Sequence, residues 1–496
     1  MIKKLFKALP ILLAASIIVP FFMPNSAQAI PAFSRTYKIE CTTCHTIYPE
    51  LNEYGEAFLK NSYVYFGKNK KSEKKETPAQ VATPVKASAP NPASAGKPKI
   101  SGDGDATKLS KLKAGAMVTD TDGAATHEVT PVAAETPAPS TGAEKAEGLI
   151  LAGIPELLPI SFTGTINYAY DRSQVNELDF ATRSFKLHAG GNFREKLGFF
   201  GTYIAWSEQP PAGNFNTSTT ATKSTTEMNE LLLSWRHILD TPLNVRIGRM
   251  QPKLGLWKTN NKLSVTNNYL PYTYTVGSAS EFRIEQPQDA LELNAVLANR
   301  FYVAGGIVNR KGQNTKEGYG HVSYKLGGAD YLANEPDVDL QKEESILDFL
   351  TFTLGSYGYY GKNGTANSND AKNNYYRVGV DAELLYKIYR LRVLGGYGVD
   401  DNATLDFAKT LVRSKAFTIE NEITLLTNLI AAGRFEFLQQ EPKYVTANFS
   451  NYYARRYIAT LGYAPIENFK VSSDFKYQIV NNVIDRIVTL GASFSF

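Results

Sequence analysis

The chain has 496 residues, with 53 Lys+Arg against 48 Asp+Glu, 43% hydrophobic and 12% aromatic residues, and two cysteines. The mild basic excess gathers in no Arg/Lys cluster, which excludes nucleic acid as a partner. The 29 Tyr and 26 Phe are a heavy load for a soluble enzyme and an ordinary one for a barrel with aromatic girdles.

Residues 1–29 carry Lys3, Lys4 and Lys7, then an apolar stretch from Leu9 to Met23, and end in Ala27-Gln28-Ala29. This reads as a cleaved secretory signal with Ile30 as the first mature residue. Pro10 and Pro20 break the apolar run and oppose the alternative, a membrane anchor. No later stretch approaches the ~18–20 uninterrupted apolar residues of a membrane helix, so the exported protein is read as having no helical span.

Both cysteines fall in residues 30–66, as Cys41-Thr42-Thr43-Cys44-His45. C-x-x-C-H is the attachment signature of c-type haem. Its spacing lets two thiols reach the two vinyl groups of one porphyrin and brings His45 under the iron as proximal ligand. The competing readings are weaker. A thioredoxin-like pair needs a βαβ surround, a structural zinc needs four ligands, and a disulfide across two residues closes a small strained loop. One haem c, held by Cys41, Cys44 and His45, is therefore expected.

After Pro49 the spacing of Leu51, Tyr54, Ala57 and Phe58 predicts a helix with one apolar face. A segment of about 37 residues is too small to hold a core alone, so the porphyrin or a barrel wall must supply contacts. Residues 67–149 are Lys, Ala, Pro, Thr and Gly with almost no aromatics, the composition of a disordered tether. Its roughly 80 residues have an end-to-end distance on the order of 50 Å.

From residue 150 to Phe496 the pattern has period two. In "YYRVGVDAELLY" Tyr376, Val378 and Val380 alternate with Arg377 and Asp381, and the chain ends in the amphipathic "RIVTLGASFSF". Segments of about ten residues recur, joined alternately by short turns (193–198, 239–243, 297–300, 464–469) and long polar loops (207–226, 251–287, 400–415). This layout predicts an all-β fold, a transmembrane antiparallel barrel of about 16 strands (14–18), with a small α-helical segment ahead of it. A soluble sandwich or propeller is the alternative. By parity Lys186, His188, Arg236, Arg246, Glu292, Arg434 and Glu436 face a lumen wide enough for water.

The segment after His45 offers no further His or Met, which leaves the sixth iron ligand open. Met117 and His127 lie in the tether. In the barrel, His188, His321 and Met250 have inward parity, whereas His237 shares the outward face of Leu231, Leu233 and Trp235. Met228 completes the available set. Each is equally readable as a polar or gap-filling lumen residue.

Pro31-Ala32-Phe33-Ser34-Arg35, the Cys41–His45 motif and Pro49-x-Leu51-Asn52-x-x-Gly55-x-x-Phe58 together resemble the fused monohaem cytochrome–porin family, which includes outer-membrane iron-oxidising cytochromes. "VRIGRMQPKLGLW" (245–257) also looks like a strand-and-loop stretch of phosphate-selective-type porins. The resemblance implies a haem at or inside the barrel mouth, passing electrons across the Gram-negative outer membrane. The family's link to the barrel is short, however, and here it is long, so the haem segment either docks in the lumen or hangs in the periplasm. Its small size favours docking. The function expected is electron transfer of an Fe(II)-oxidase type between extracellular redox-active metal ions, such as iron, and periplasmic c-type cytochromes. The alternative is a diffusion porin with a regulatory or accessory haem segment. A peroxidase would need a second haem or a distal acid/base pair, which the first 66 residues lack.

Overall fold

Alternating residues from 160 onward form strands because only one face of each segment is apolar enough to leave water. The computed structural model of the chain describes residues 33, 37, 39–64 and most of 160–495; the signal (1–29) and the tether (67–149) lie outside the described residues. The first eight strands are β1 Ile160–Asp171, β2 Leu178–Phe193, β3 Leu197–Gln209, β4 Lys223–Trp235, β5 Leu243–Met250, β6 Gln288–Leu297, β7 Phe301–Asn309 and β8 Lys316–Leu326. The second eight are β9 Leu350–Gly364, β10 Lys372–Tyr386, β11 Tyr389–Asp400, β12 Val412–Leu426, β13 Leu429–Pro442, β14 Tyr452–Ile466, β15 Phe469–Val480 and β16 Val483–Ser495.

Each strand pairs antiparallel with its sequence neighbours, and β1 closes the ring on β16, with Thr163 opposite Ser495 and Tyr168 opposite Leu490. Closure leaves no edge, so the strands' polar backbone can cross lipid. The side chains sort as the alternation predicts. Val378 and Val380 are exposed on the outside, while Arg377 and Asp381, which flank them, are buried within. Arg236, Arg246, Glu292, Arg434 and Glu436 are all buried on the inner side, and Lys186 and His188 share the inward parity of β2.

Leu231, Leu233, Ile247, Leu291 and Leu293 give the outer wall an exposed apolar belt. Exposed Trp206, Tyr360 and Tyr376 lie towards one rim, and Phe193, Trp235 and Tyr324 towards the other. An apolar belt between aromatic rims is the outer surface of an outer-membrane barrel, and that is where this chain resides. No helix among the described residues is long and apolar enough to cross a membrane.

Tight connections at 298–300, 387–388, 427–428 and 467–468 share one end with the start of β1 and the end of β16; in such barrels this is the periplasmic end. The connection at 327–349 is the long exception there. At the opposite end the loops are longer, apart from β15–β16, where Asn481 and Asn482 both take positive φ (47° and 69°), the conformation of a two-residue hairpin turn.

Two further pieces occupy the interior. Residues 39–64 hold a 3-10 turn, Cys41–Thr43, and a helix α1, Glu53–Lys60. The helix begins later than its apolar spacing implies, because the Asn52 side chain caps it by accepting from the Tyr54 and Gly55 N–H groups. Leu51 instead pairs with His45 in an isolated bridge. The β5–β6 loop (251–287) folds inward around a one-turn helix α2, Leu270–Thr273, with Leu254, Trp257, Leu263, Tyr269, Tyr272 and Val276 all buried.

A lipid-facing charge tests this orientation. Leu293→Arg, in mid-strand, should destabilise the barrel by about 2–4 kcal/mol in denaturant titrations from lipid vesicles. Leu239→Arg, in an exposed turn, should cost almost nothing by comparison.

Candidate functional site

The motif residues are set by a tight turn. N–H groups of Cys44 and His45 both donate to the Cys41 carbonyl, at 3.1 and 3.0 Å, winding the two cysteines and the histidine onto consecutive corners. Both cysteines are free thiols. Cys41 is buried, and its Sγ donates to Asn468 Oδ1 at 2.9 Å, in the β14–β15 turn at the periplasmic end. Burial, reinforced by Cys41, pushes the Cys44 thiol up to about 11. Gly55 lets α1 press on this turn: a Cβ there would sit 2.2 Å from the Cys44 carbonyl oxygen.

His45 Nδ1 lies 3.3 Å from the Glu50 carbonyl. A carbonyl only accepts, so this contact places the proton on Nδ1 and leaves the Nε2 lone pair for a metal. Burial lowers the ring's pKa to about 4, against the opposing pull of the Glu50 and Pro49 carbonyls, so the imidazole is neutral. Two thiols on one turn and a neutral histidine with a tied Nδ1 are the side chains that would hold a covalently bound haem. Among the described residues no group of three or more His, Cys, Asp or Glu side chains converges on a metal position.

Among the described residues no sixth-ligand candidate hydrogen-bonds or stacks on the His45 ring, which meets the Glu50 carbonyl and, at 5.3 Å, the Tyr48 ring. His188 is nearest by connection: its Nε2 bonds Thr163 Oγ1 at 3.1 Å, and Thr163 also bonds the Tyr48 hydroxyl. The other His188 nitrogen bonds Thr202 at 3.0 Å. Met250 is fully buried in an apolar cluster with Tyr63, Leu254 and Trp257. His321, 2% exposed, lies 6.1 Å from the Tyr302 ring, towards the Lys60 end of α1. His237 is exposed in the β4–β5 turn, past the end of its strand rather than on its outward face. Met228 is exposed on the outer wall, and Met117 and His127 lie outside the described residues.

The motif segment is docked in the lumen, against wall residues close to the periplasmic ends of their strands. Glu50 is fully buried and accepts from Arg390 at 3.0 Å and Arg392 at 2.8 Å, two inward neighbours on β11. The same guanidiniums reach Glu383 on β10, at 2.7 and 3.1 Å. Burial raises the Glu50 carboxyl, but Arg392 and then Arg390 outweigh it and hold the group below the usual carboxylate range. Elsewhere Lys325 pairs with Glu53 at 2.7 Å, Asn61 donates to the Tyr331 carbonyl at 2.7 Å, and Ser62 bonds Ser234. Tyr63 stacks between Phe33 and Phe200, at 5.7 and 5.0 Å. Gly198 gives the segment room, since a Cβ there would meet the Ser62 carbonyl at 2.4 Å.

From above, the inward loop completes the enclosure. Asn261 accepts from the Leu51 N–H at 2.7 Å and donates to Glu56 at 2.8 Å. Glu50, Arg390, Arg392 and Asn261 were not marked by any motif. Parity alone turns both arginines inward, but nothing local identifies a partner 340 residues away.

Glu50→Ala should loosen docking, because it removes one carboxylate from a buried cluster, a change worth about 3–5 kcal/mol. Limited proteolysis within 39–64 should accelerate accordingly. Glu53→Ala, whose carboxylate is partly solvated, should have a much smaller effect.

No family model and no curated protein matches the chain. Among solved structures it is similar to the outer membrane channel DcaP of Acinetobacter baumannii (12% identity, 68% of this chain and 96% of that one, TM-score 0.44). It is also similar to an anion-selective porin from Comamonas acidovorans (10%, 68% and 99%, TM-score 0.44) and to Pseudomonas putida OprB (13%, 68% and 94%, TM-score 0.42).

Proposed function

We propose that this porin-like barrel is an electron-transfer protein, carrying one haem c on Cys41 and Cys44 with His45 as an axial ligand. The electrons would pass between an extracellular donor or acceptor, such as iron, and periplasmic c-type cytochromes. The supporting observation is the C-x-x-C-H turn itself, held inside the lumen with a neutral His45 whose Nδ1 proton is tied to Glu50. When bound, the haem supplies a one-electron Fe(III)/Fe(II) couple. The chain's own part is positional: Glu50 fixes the imidazole, and Arg390 and Arg392 fix Glu50, while the Cys41 thiol, which bonds Asn468 at the periplasmic end before attachment, would give up that bond on forming the thioether.

Expressed with a c-haem maturation system, the protein should retain haem through acid–acetone extraction and on denaturing gels. Cys41→Ala or Cys44→Ala should weaken or abolish that stain, and His45→Ala should shift the Soret band. A wild-type protein with no covalent haem would overturn the reading. Stopped-flow mixing with Fe(II), and separately with a reduced periplasmic cytochrome, then tests each exchange partner.

A second reading, a porin with residues 39–64 as a removable plug, draws on the polar character of the docking surface: Glu50, Glu53, Asn61 and Ser62 all meet polar wall groups. Single-channel conductance separates the two. Electron transfer through a filled lumen calls for a poorly conducting full-length holoprotein that opens when 30–66 are deleted. A large open conductance in the intact holoprotein supports the porin.

A further inference from the structure

Between the last turn of α1, the start of the inward loop and the wall strand β5 lies a small cavity whose charged lining is entirely cationic: Lys60, Arg246, Lys253 and Lys258. Three of these cations are already matched, Lys60 by Glu56 at 2.9 Å, Arg246 by Glu292 at 3.0 Å and Lys258 by Glu230 at 2.9 Å. Lys253 is not. It is 8% exposed, and its ammonium donates to the Leu256 carbonyl at 3.2 Å with no carboxylate in contact. Trp257 lines the same cavity, 3% exposed, and its indole N–H has no acceptor. Tyr302 closes another side, with His321 behind it, 2% exposed and with neither ring nitrogen hydrogen-bonded.

Buried donors without acceptors are costly, and a buried ammonium without a counter-charge more so. Desolvation, with Lys60 adding to it and the more distant Glu56 and Asp381 carboxylates opposing it, pushes the Lys253 ammonium down to about 7. The free space is on the scale of about one or two water molecules. That admits a halide and is too tight for a tetrahedral oxyanion. We propose that the cavity is a binding site for a halide-sized anion, chloride in the cell, held by Lys253 and the Trp257 indole N–H within the field of Lys60, Arg246 and Lys258.

The site is assembled from three elements: Lys60 belongs to the docked segment, Lys253, Trp257 and Lys258 to the loop, and Arg246 to β5. A bound chloride therefore links the segment to the loop and the wall, and its affinity adds to docking stability by mass action. The inference does not depend on haem attachment.

The test uses the full-length protein in detergent at constant ionic strength. Thermal unfolding should shift upward saturably as sodium gluconate is replaced by sodium chloride, and bromide should reproduce the shift. Lys253→Met should abolish it, while Lys253→Arg, which keeps the charge, should retain most of it. Crystals grown in bromide should show an anomalous peak beside Lys253 Nζ, a readout that survives if the methionine variant misfolds. An equal shift with sulfate, an unchanged shift in Lys253→Met, or no bromide at Lys253 would each overturn the site.

Discussion

Glu50 uses both of its acceptor groups to join parts of the molecule that are far apart in sequence. Its side chain accepts from Arg390 and Arg392 on the barrel wall, while its carbonyl accepts from the Thr46 N–H at 3.0 Å and faces His45 Nδ1. Strand alternation leaves those arginines no alternative to the lumen, since the opposite face of β11 meets lipid. A buried guanidinium pair needs carboxylates within reach, and Glu383, Glu420 and Glu422 meet it from the wall. The insertion of Glu50 adds a fourth carboxylate, and the only one in that cluster that belongs to the docked segment, so both arginines tie the segment to the wall. The same insertion fixes which ring nitrogen of His45 is protonated, so wall electrostatics and the imidazole's tautomer are set together.

The docked segment could not sustain this arrangement by itself. An eight-residue helix is marginal in water even with a good cap, and α1 has only Asn52 and its flanking charges to hold it. Its aromatic side chains supply what the helix lacks: Tyr63 stacks on Phe200 of the wall, and Phe58 packs on Phe33 of the same segment at 4.9 Å. The long connection between segment and barrel is a weak objection to docking. Closure entropy grows only as (3/2)RT ln n, about 0.6 kcal/mol per doubling of length, which is less than one well-made buried contact contributes.

What was legible in the sequence follows from the range of each interaction. Period two is local, so the barrel, its inward charges and even the facing of His188 and His321 could be read residue by residue. The tight turn of Cys41–His45 is also local, five residues long. The helix start was misplaced because apolar spacing says nothing about caps, and Asn52 acts through two backbone N–H groups just downstream. Of the interior packing only the docking of the small segment was legible; its partners and the course of the inward loop were not. The inward course of 251–287 depends on wall groups such as Asp381, which accepts from the Leu256 N–H at 2.6 Å, and Glu436, which accepts from Leu270 at 2.8 Å. Such pairs span more than a hundred residues and leave no pattern along the chain.

Both functional readings use the same barrel and differ in how firmly its contents are held. In a diffusion channel, a constriction loop narrows the lumen and leaves a water-lined path. Here the loop's apolar residues turn inward together, with Tyr269, Leu263 and Val276 at 0% exposure, and meet the docked segment through Asn261. Burying that much aromatic surface in the middle of a lumen is favourable only if water is excluded there. The polar contacts around it are charge-matched across separate strands, so each is worth most when the others stay in place. A lumen filled in this way holds residues 39–64 at a fixed place against the wall, which the redox reading requires, whereas the porin reading requires the segment and the loop to leave a path for water.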